Sequence, residues 1–70
     1  MLIKVDSYKG RFEAMWVGNV SDYSRASIQG CPLGTGNTAE KAVINLCNRT
    51  NMESKTSFKL ENVEFFVVEY

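Results

Sequence analysis

Apolar and polar residues alternate from the first positions of the chain. Ile3 and Val5 are separated by Lys4 and followed by Asp6, the period-two pattern of a half-buried strand. Lys9-Gly10 reads as a turn, after which Phe12, Ala14 and Trp16 fall on one side and Glu13, Met15 and Val17 on the other. The two runs predict a hairpin closed through Gly10. Gly18 to Ser24 is rich in turn formers and predicts a loop. Arg25 to Gln29 then offers a short third strand with Ala26 and Ile28 on one face, ended by Gly30, Pro32, Gly34 and Gly36.

The period changes at residue 39. Ala39, Ala42, Val43, Leu46 and Cys47 recur at helical spacing, and Glu40, Lys41, Asn45 and Asn48 fall on the opposite side. Thr38 suits the N-cap; if Asn37 takes that place instead, Glu40 completes a capping-box arrangement. The polar stretch Asn48 to Ser57 predicts the helix end and a loop, with Met52 as a candidate anchor. Phe58 to Tyr70 predicts a last strand, with a break near Glu61-Asn62. The order strand, strand, strand, helix, strand predicts an α+β fold, an antiparallel sheet with one helix on one face.

Length and charge narrow the picture. Seventy residues support one domain, residues 1–70, because a chain this small removes only about 60% of its unfolded surface from water. Eight Lys and Arg balance eight Asp and Glu, so no net field draws phosphate backbones or anionic lipid. The longest apolar runs, such as Phe65 to Val68, are far below the roughly 20 residues that span a bilayer, so no membrane role is expected. Two cysteines and no evident signal segment predict a reduced, cytoplasmic protein, although a Cys31–Cys47 bridge would contribute about 3 kcal/mol in the chain-entropy model.

Candidate chemistry begins with Gly34-Thr35-Gly36-Asn37-Thr38-Ala39, which satisfies the glycine pattern of dinucleotide-binding turns, with Glu61 at a distance that invites a ribose contact. That pattern works between a buried parallel strand and a crossover helix of a larger sheet, and the strand predicted before it is short and polar. No Lys-Ser or Lys-Thr pair follows to make a P-loop. Glycines serving turns of positive φ before a capped helix are the simpler reading. Histidine is absent, which removes the commonest general base and metal ligand. Cys47 belongs to the helix stripe, and Cys31 is the one candidate reactive thiol. No enzyme activity, cofactor or metal site is expected.

The closing segment "VEFFVVEY" carries an excess of apolar groups. Val63, Phe65 and Val67 point one way, while Glu64, Phe66, Val68 and Tyr70 point the other. One helix covers one face. If it covers the Phe65 side, then Phe66, Val68 and Tyr70, with Met15 and Val17, form an exposed apolar surface of the kind that marks an interface. The alternative is that the terminal loop folds under and covers this side, or that an irregularity near Asn62 shifts the register. Lys9, Arg11 and Arg25, with Tyr8 or Tyr23 as a stacking surface, are the candidates for the different reading of an RNA- or DNA-binding module.

The hairpin, the strand ending in Gly30-Cys31, and the run Gly36-Asn37-Thr38 followed by Glu40, Ala42 and Leu46 resemble the HicB-like antitoxin domain. Phe12, Ala14 and Trp16 sit where that family has its alternating second strand. The resemblance covers the greater part of the chain and does not extend to the DNA-binding segment that usually follows in such antitoxins. It implies a fold related to double-stranded RNA-binding domains and a function of masking a small toxic ribonuclease by protein contact. The expectation is therefore a non-enzymatic protein-binding module. Its partner is a nuclease-like toxin or a host effector met by a bacteriophage or mobile element, or a second copy in a structural homodimer.

Overall fold

The computed structural model describes residues 2–17, 34–54 and 57–70. The expected hairpin is present: β1 (Leu2–Tyr8) pairs antiparallel with β2 (Arg11–Trp16), with Ile3 opposite Trp16 and Val5 opposite Ala14. Both turn residues have positive φ, 50° at Lys9 and 91° at Gly10, the primed geometry that follows the right-handed twist of the strands. Gly10 accommodates this freely, whereas a side chain there meets the cost of a left-handed backbone.

The predicted strand over Arg25–Gln29 lies outside the described residues. Inside them, the third strand is the glycine stretch itself. β3 (Gly34–Gly36) pairs antiparallel with β2, with Phe12 opposite Gly36 and Ala14 opposite Gly34. The expected role of these glycines needs correction, because Gly10 is the one described glycine with positive φ. Gly34 and Gly36 instead permit close packing. A Cβ at Gly34 would run into the Ala42 carbonyl oxygen and the Leu46 backbone nitrogen and come within 2.7 Å of Leu46 Cβ, and one at Gly36 would lie 2.8 Å from Lys41 Cβ. The strand backbone thus rests directly on the helix.

That helix, α1 (Ala39–Ser54), starts where Thr38 Oγ1 accepts from the Lys41 amide at 3.1 Å, an N-cap bond to the third helical position. It continues past the expected end near Asn48. The buried stripe Ala42, Val43, Leu46 and Cys47 is extended by Thr50, one turn on and fully buried. Thr50 donates its hydroxyl to the Leu46 carbonyl at 2.9 Å and accepts from Trp16 Nε1 at 2.9 Å. A polar residue thereby keeps its place in the apolar stripe, which is why polarity misplaced the helix end. Asn51 then clamps the returning chain, donating to the Phe58 carbonyl and accepting from the Phe58 amide, both at 2.8 Å.

The expected break in the last segment is a 3-10 turn at Leu60–Asn62, and β4 follows at Glu64–Glu69. β4 lies beside β1 and parallel to it, with Ile3 opposite Phe65 and Lys4 opposite Phe66. The sheet is therefore mixed, in the order β3-β2-β1-β4, and not antiparallel throughout as expected. Two antiparallel steps make β3 parallel to β1. A single helical crossover from β3 then delivers β4 in the same direction, so its pairing with β1 must be parallel. The architecture is α+β, a four-stranded mixed sheet with one helix packed on it among the described residues.

Ile3, Val5, Ala14 and Trp16 from the sheet meet Ala42, Val43, Leu46 and Cys47 from the helix to form the core. Phe12, Phe58, Leu60, Val63 and Phe65 pack around it, with the Phe58 ring tilted against Trp16 at 5.2 Å. Full burial of a side chain such as Leu46 or Ile3 stabilises by about 1.5–3 kcal/mol. No helix among the described residues is long and apolar enough to cross a membrane.

Gly34→Ala is expected to lose about 1–3 kcal/mol or more through overpacking against the helix backbone. Gly10→Ala, with nothing near its Cβ, is expected to lose about 1–2 kcal/mol through its φ alone. Urea denaturation of the two variants checks the order; equal stability of Gly34→Ala and the parent chain would contradict the close packing.

Candidate binding face

Strand alternation and register together assign each residue to a side of the sheet. Ile3, Val5, Ala14, Trp16 and Phe65 face the helix. Their neighbours face away, and the pairings arrange them in rows across the sheet. Glu64 lies beside Leu2, which accepts at 3.0 Å from the amide of Val17. Phe66, Lys4 and Met15 form the next row, then Val68, Asp6, Glu13 and Thr35, and finally Tyr8 and Arg11 with Tyr70 just beyond β4. The Tyr70 amide continues the pairing by donating to the Ser7 carbonyl at 3.0 Å.

The helix does cover the Phe65 side, so the five residues expected at an interface share the opposite face. Phe66 is 41% exposed, Tyr70 is 64% exposed, Val17 is exposed, and Met15 and Val68 are half-buried. They do not make one uninterrupted apolar patch. Lys4 stands between Phe66 and Met15, and Asp6 stands between Val68 and Glu13. The sequence contained that signal: Lys4, Asp6 and Tyr8 alternate with Ile3 and Val5, and the register of β4 decides that Phe66 joins them.

The middle of this face is a polar and aromatic cluster. Lys4 Nζ lies 3.4 Å from Asp6 Oδ1, an ion pair without the alignment of a hydrogen bond, and donates at 3.5 Å to the Tyr70 hydroxyl. The Tyr70 ring stacks on Tyr8 at 4.9 Å with an interplanar angle of 11°. Asp6 is only 5% exposed, and its Oδ1 has no hydrogen-bond partner.

This arrangement raises the pKa of Lys4 above its ordinary 10.5, through the hydrogen bond to Tyr70 and then the neighbouring Asp6 carboxylate. The phenol of Tyr8 is also raised above 10.0, by withdrawal from water and then by the Asp6 charge. Arg11 pairs with Glu13 at 3.0 Å. Of the alternative nucleic-acid candidates, Lys9 sits exposed in the hairpin turn, Arg11 is held by that carboxylate, and Arg25 lies outside the described residues.

The remaining candidate chemistry is placed elsewhere. Cys47 is a buried free thiol whose pKa is pushed above 9.0 by desolvation, while Cys31 lies outside the described residues. The glycine pattern at Gly34-Thr35-Gly36 is pressed under the helix, and its Thr35 carbonyl accepts from Asn45 Nδ2 at 2.6 Å. Among the described residues no three His, Cys, Asp or Glu side chains converge as a metal site. No family model, curated protein or solved structure matches the chain.

Cys47, Tyr8 and Lys4 all have raised folded-state pKa values, so each contributes stability that is present below its unfolded value and lost as pH rises through the folded one. Melting temperature is expected to hold to about pH 8, where unfolded cysteine begins to ionise, and to fall beyond it. Cys47→Ala is expected to move the onset of that fall up toward about pH 10. A stability that rises across this alkaline interval would contradict the assignment.

Proposed function

We propose that this chain is a small non-enzymatic protein-binding module that inhibits a nuclease or a similar effector through the sheet face opposite its helix. The observation that carries the reading is the exposure of Phe66, Val17 and Tyr70 on that face, beside half-buried Met15 and Val68. Burying such side chains supplies free energy at about 25 cal/mol per Å2 before association costs are subtracted. The resemblance to HicB-like antitoxin domains, themselves related to double-stranded RNA-binding folds, supports the choice of a toxic nuclease as target. A host effector opposed by a bacteriophage or mobile element is the other partner of the same kind, and the working compartment is the cytoplasm.

The charges of the face favour a protein over a nucleic acid. Asp6 and Glu13 occupy one row, Glu64 lies in another, and Arg11 and Lys4 are both engaged with carboxylates. A phosphate backbone arriving here meets carboxylates at the centre of the surface. A structural homodimer would use the same residues and is separated by its concentration dependence.

Phe66→Ser is expected to abolish association while leaving the melting temperature of the monomer nearly unchanged. Leu46→Ala, which opens a core cavity, is expected to lose about 2–5 kcal/mol of stability. Sedimentation over a concentration series, and affinity capture from the native host at low and high salt, provide the readouts. An apolar interface survives added salt, whereas binding that falls steeply with ionic strength indicates phosphate contacts. Melting of Phe66→Ser as severe as that of Leu46→Ala would place Phe66 in the core and remove the proposal.

A further inference from the structure

The Asp6 carboxylate is the feature of the open face that its apolar character does not explain. An aspartate in the middle of a strand, beside Val68 on one flank and Glu13 on the other, is 5% exposed with one oxygen unbonded. Buried carboxylate oxygens are ordinarily satisfied by aligned donors. Lys4 supplies charge at 3.4 Å without that alignment, since its ammonium is also drawn toward the Tyr70 hydroxyl. The site therefore lacks a donor, and its surroundings define which donor fits.

We propose that Asp6 receives the guanidinium of an arginine from the partner protein, stacked on the Tyr8 ring. The proposal rests on the reading of this face as protein-binding. A guanidinium is planar, always charged and rich in donors, so it can complete the Asp6 carboxylate and lie against a tyrosine ring together. An ammonium offers the charge without the plane, and Lys4 already supplies one. Phe66, Val68 and Met15 provide apolar surface for the aliphatic stem of an arginine. An anionic group is disfavoured by Asp6, Glu13 and Glu64 on the same side.

Access requires movement of one side chain. Tyr70, whose hydroxyl accepts from Lys4, is 64% exposed and follows the last residue of β4. Rotation of its side chain releases the Lys4 ammonium beside the carboxylate without disturbing the pairing of β4 with β1. Lys4 is then an internal competitor for the incoming cation. That competition has a consequence that a purely structural ion pair would not show: removing the Lys4 ammonium should improve arginine binding.

Titration of the isotopically labelled protein with acetyl-arginine methylamide, followed by NMR, tests the site without the partner in hand. The probe is expected to shift the resonances of Asp6, Tyr8 and Tyr70, and the uncharged isostere acetyl-citrulline methylamide to bind about tenfold more weakly. Asp6→Asn should abolish the shifts, and Lys4→Met should tighten binding several-fold. Equal binding of the citrulline probe, unchanged binding in Asp6→Asn, or weaker binding in Lys4→Met would each overturn the proposal. If Asp6→Asn fails to fold, the Lys4→Met result decides. Loss of association in Phe66→Ser with no arginine effect at Asp6 sinks this inference alone. Arginine binding at Asp6 with association indifferent to Phe66 sinks the protein-binding reading of the wider face instead.

Discussion

The contact between the β3 backbone and the helix determines where everything else lies. Gly34 and Gly36 bring that strand so close to Ala42, Leu46 and Lys41 that no Cβ fits between them. Asn45 fastens the same junction through the Thr35 carbonyl. The helix is thereby held toward the β3 end of the sheet, touching β3 most extensively, β2 less and β1 less again. β4, at the far edge, receives little shelter. Val67 is 41% exposed although it points to the helix side, and Phe66 has the same exposure on the other side. The apolar excess of the last strand follows from an off-centre helix as well as from the sheet's second face.

Placement of the helix also explains the reinforced return of the chain. Having crossed from one edge to the other, the polypeptide must be held where the helix ends and β4 begins. Thr50 joins the helix to Trp16, Phe58 leans on Trp16, and Asn51 grips both backbone groups of Phe58. Leu60 and Val63, around the 3-10 turn, pack against the core before the strand enters parallel register with β1. Polar side chains here do what apolar ones cannot: they specify an exact backbone partner as well as burial.

Periodicity made the hairpin and the start of the helix legible, because both depend on residues near one another in sequence. The Lys9-Gly10 turn and the Thr38 cap needed nothing from the rest of the fold. Errors arose where distant contacts decide. Thr50 reads as loop by polarity and becomes core because Trp16 lies opposite. Gly34 and Gly36 read as turn residues and become a strand because the helix packs against them. The direction of β4 depends on a crossover that alternation alone does not reveal. The same holds for the candidate face: Met15, Val17, Phe66, Val68 and Tyr70 could be grouped by parity within their strands, as could Lys4 and Asp6, but which of them stand side by side emerges only from the inter-strand register.

One off-centre helix on a two-faced sheet leaves Phe66, Val17 and Tyr70 exposed on the outer side and Val67 exposed at the β4 edge of the helix side. Broadening of side-chain NMR signals by a soluble paramagnetic agent measures this directly on the isolated protein. Strong broadening at Phe66, Val67, Val17 and Tyr70, with Ile3, Val5 and Leu46 protected, is the result the structure predicts. Phe66 and Val17 as well protected as Val5 would contradict it.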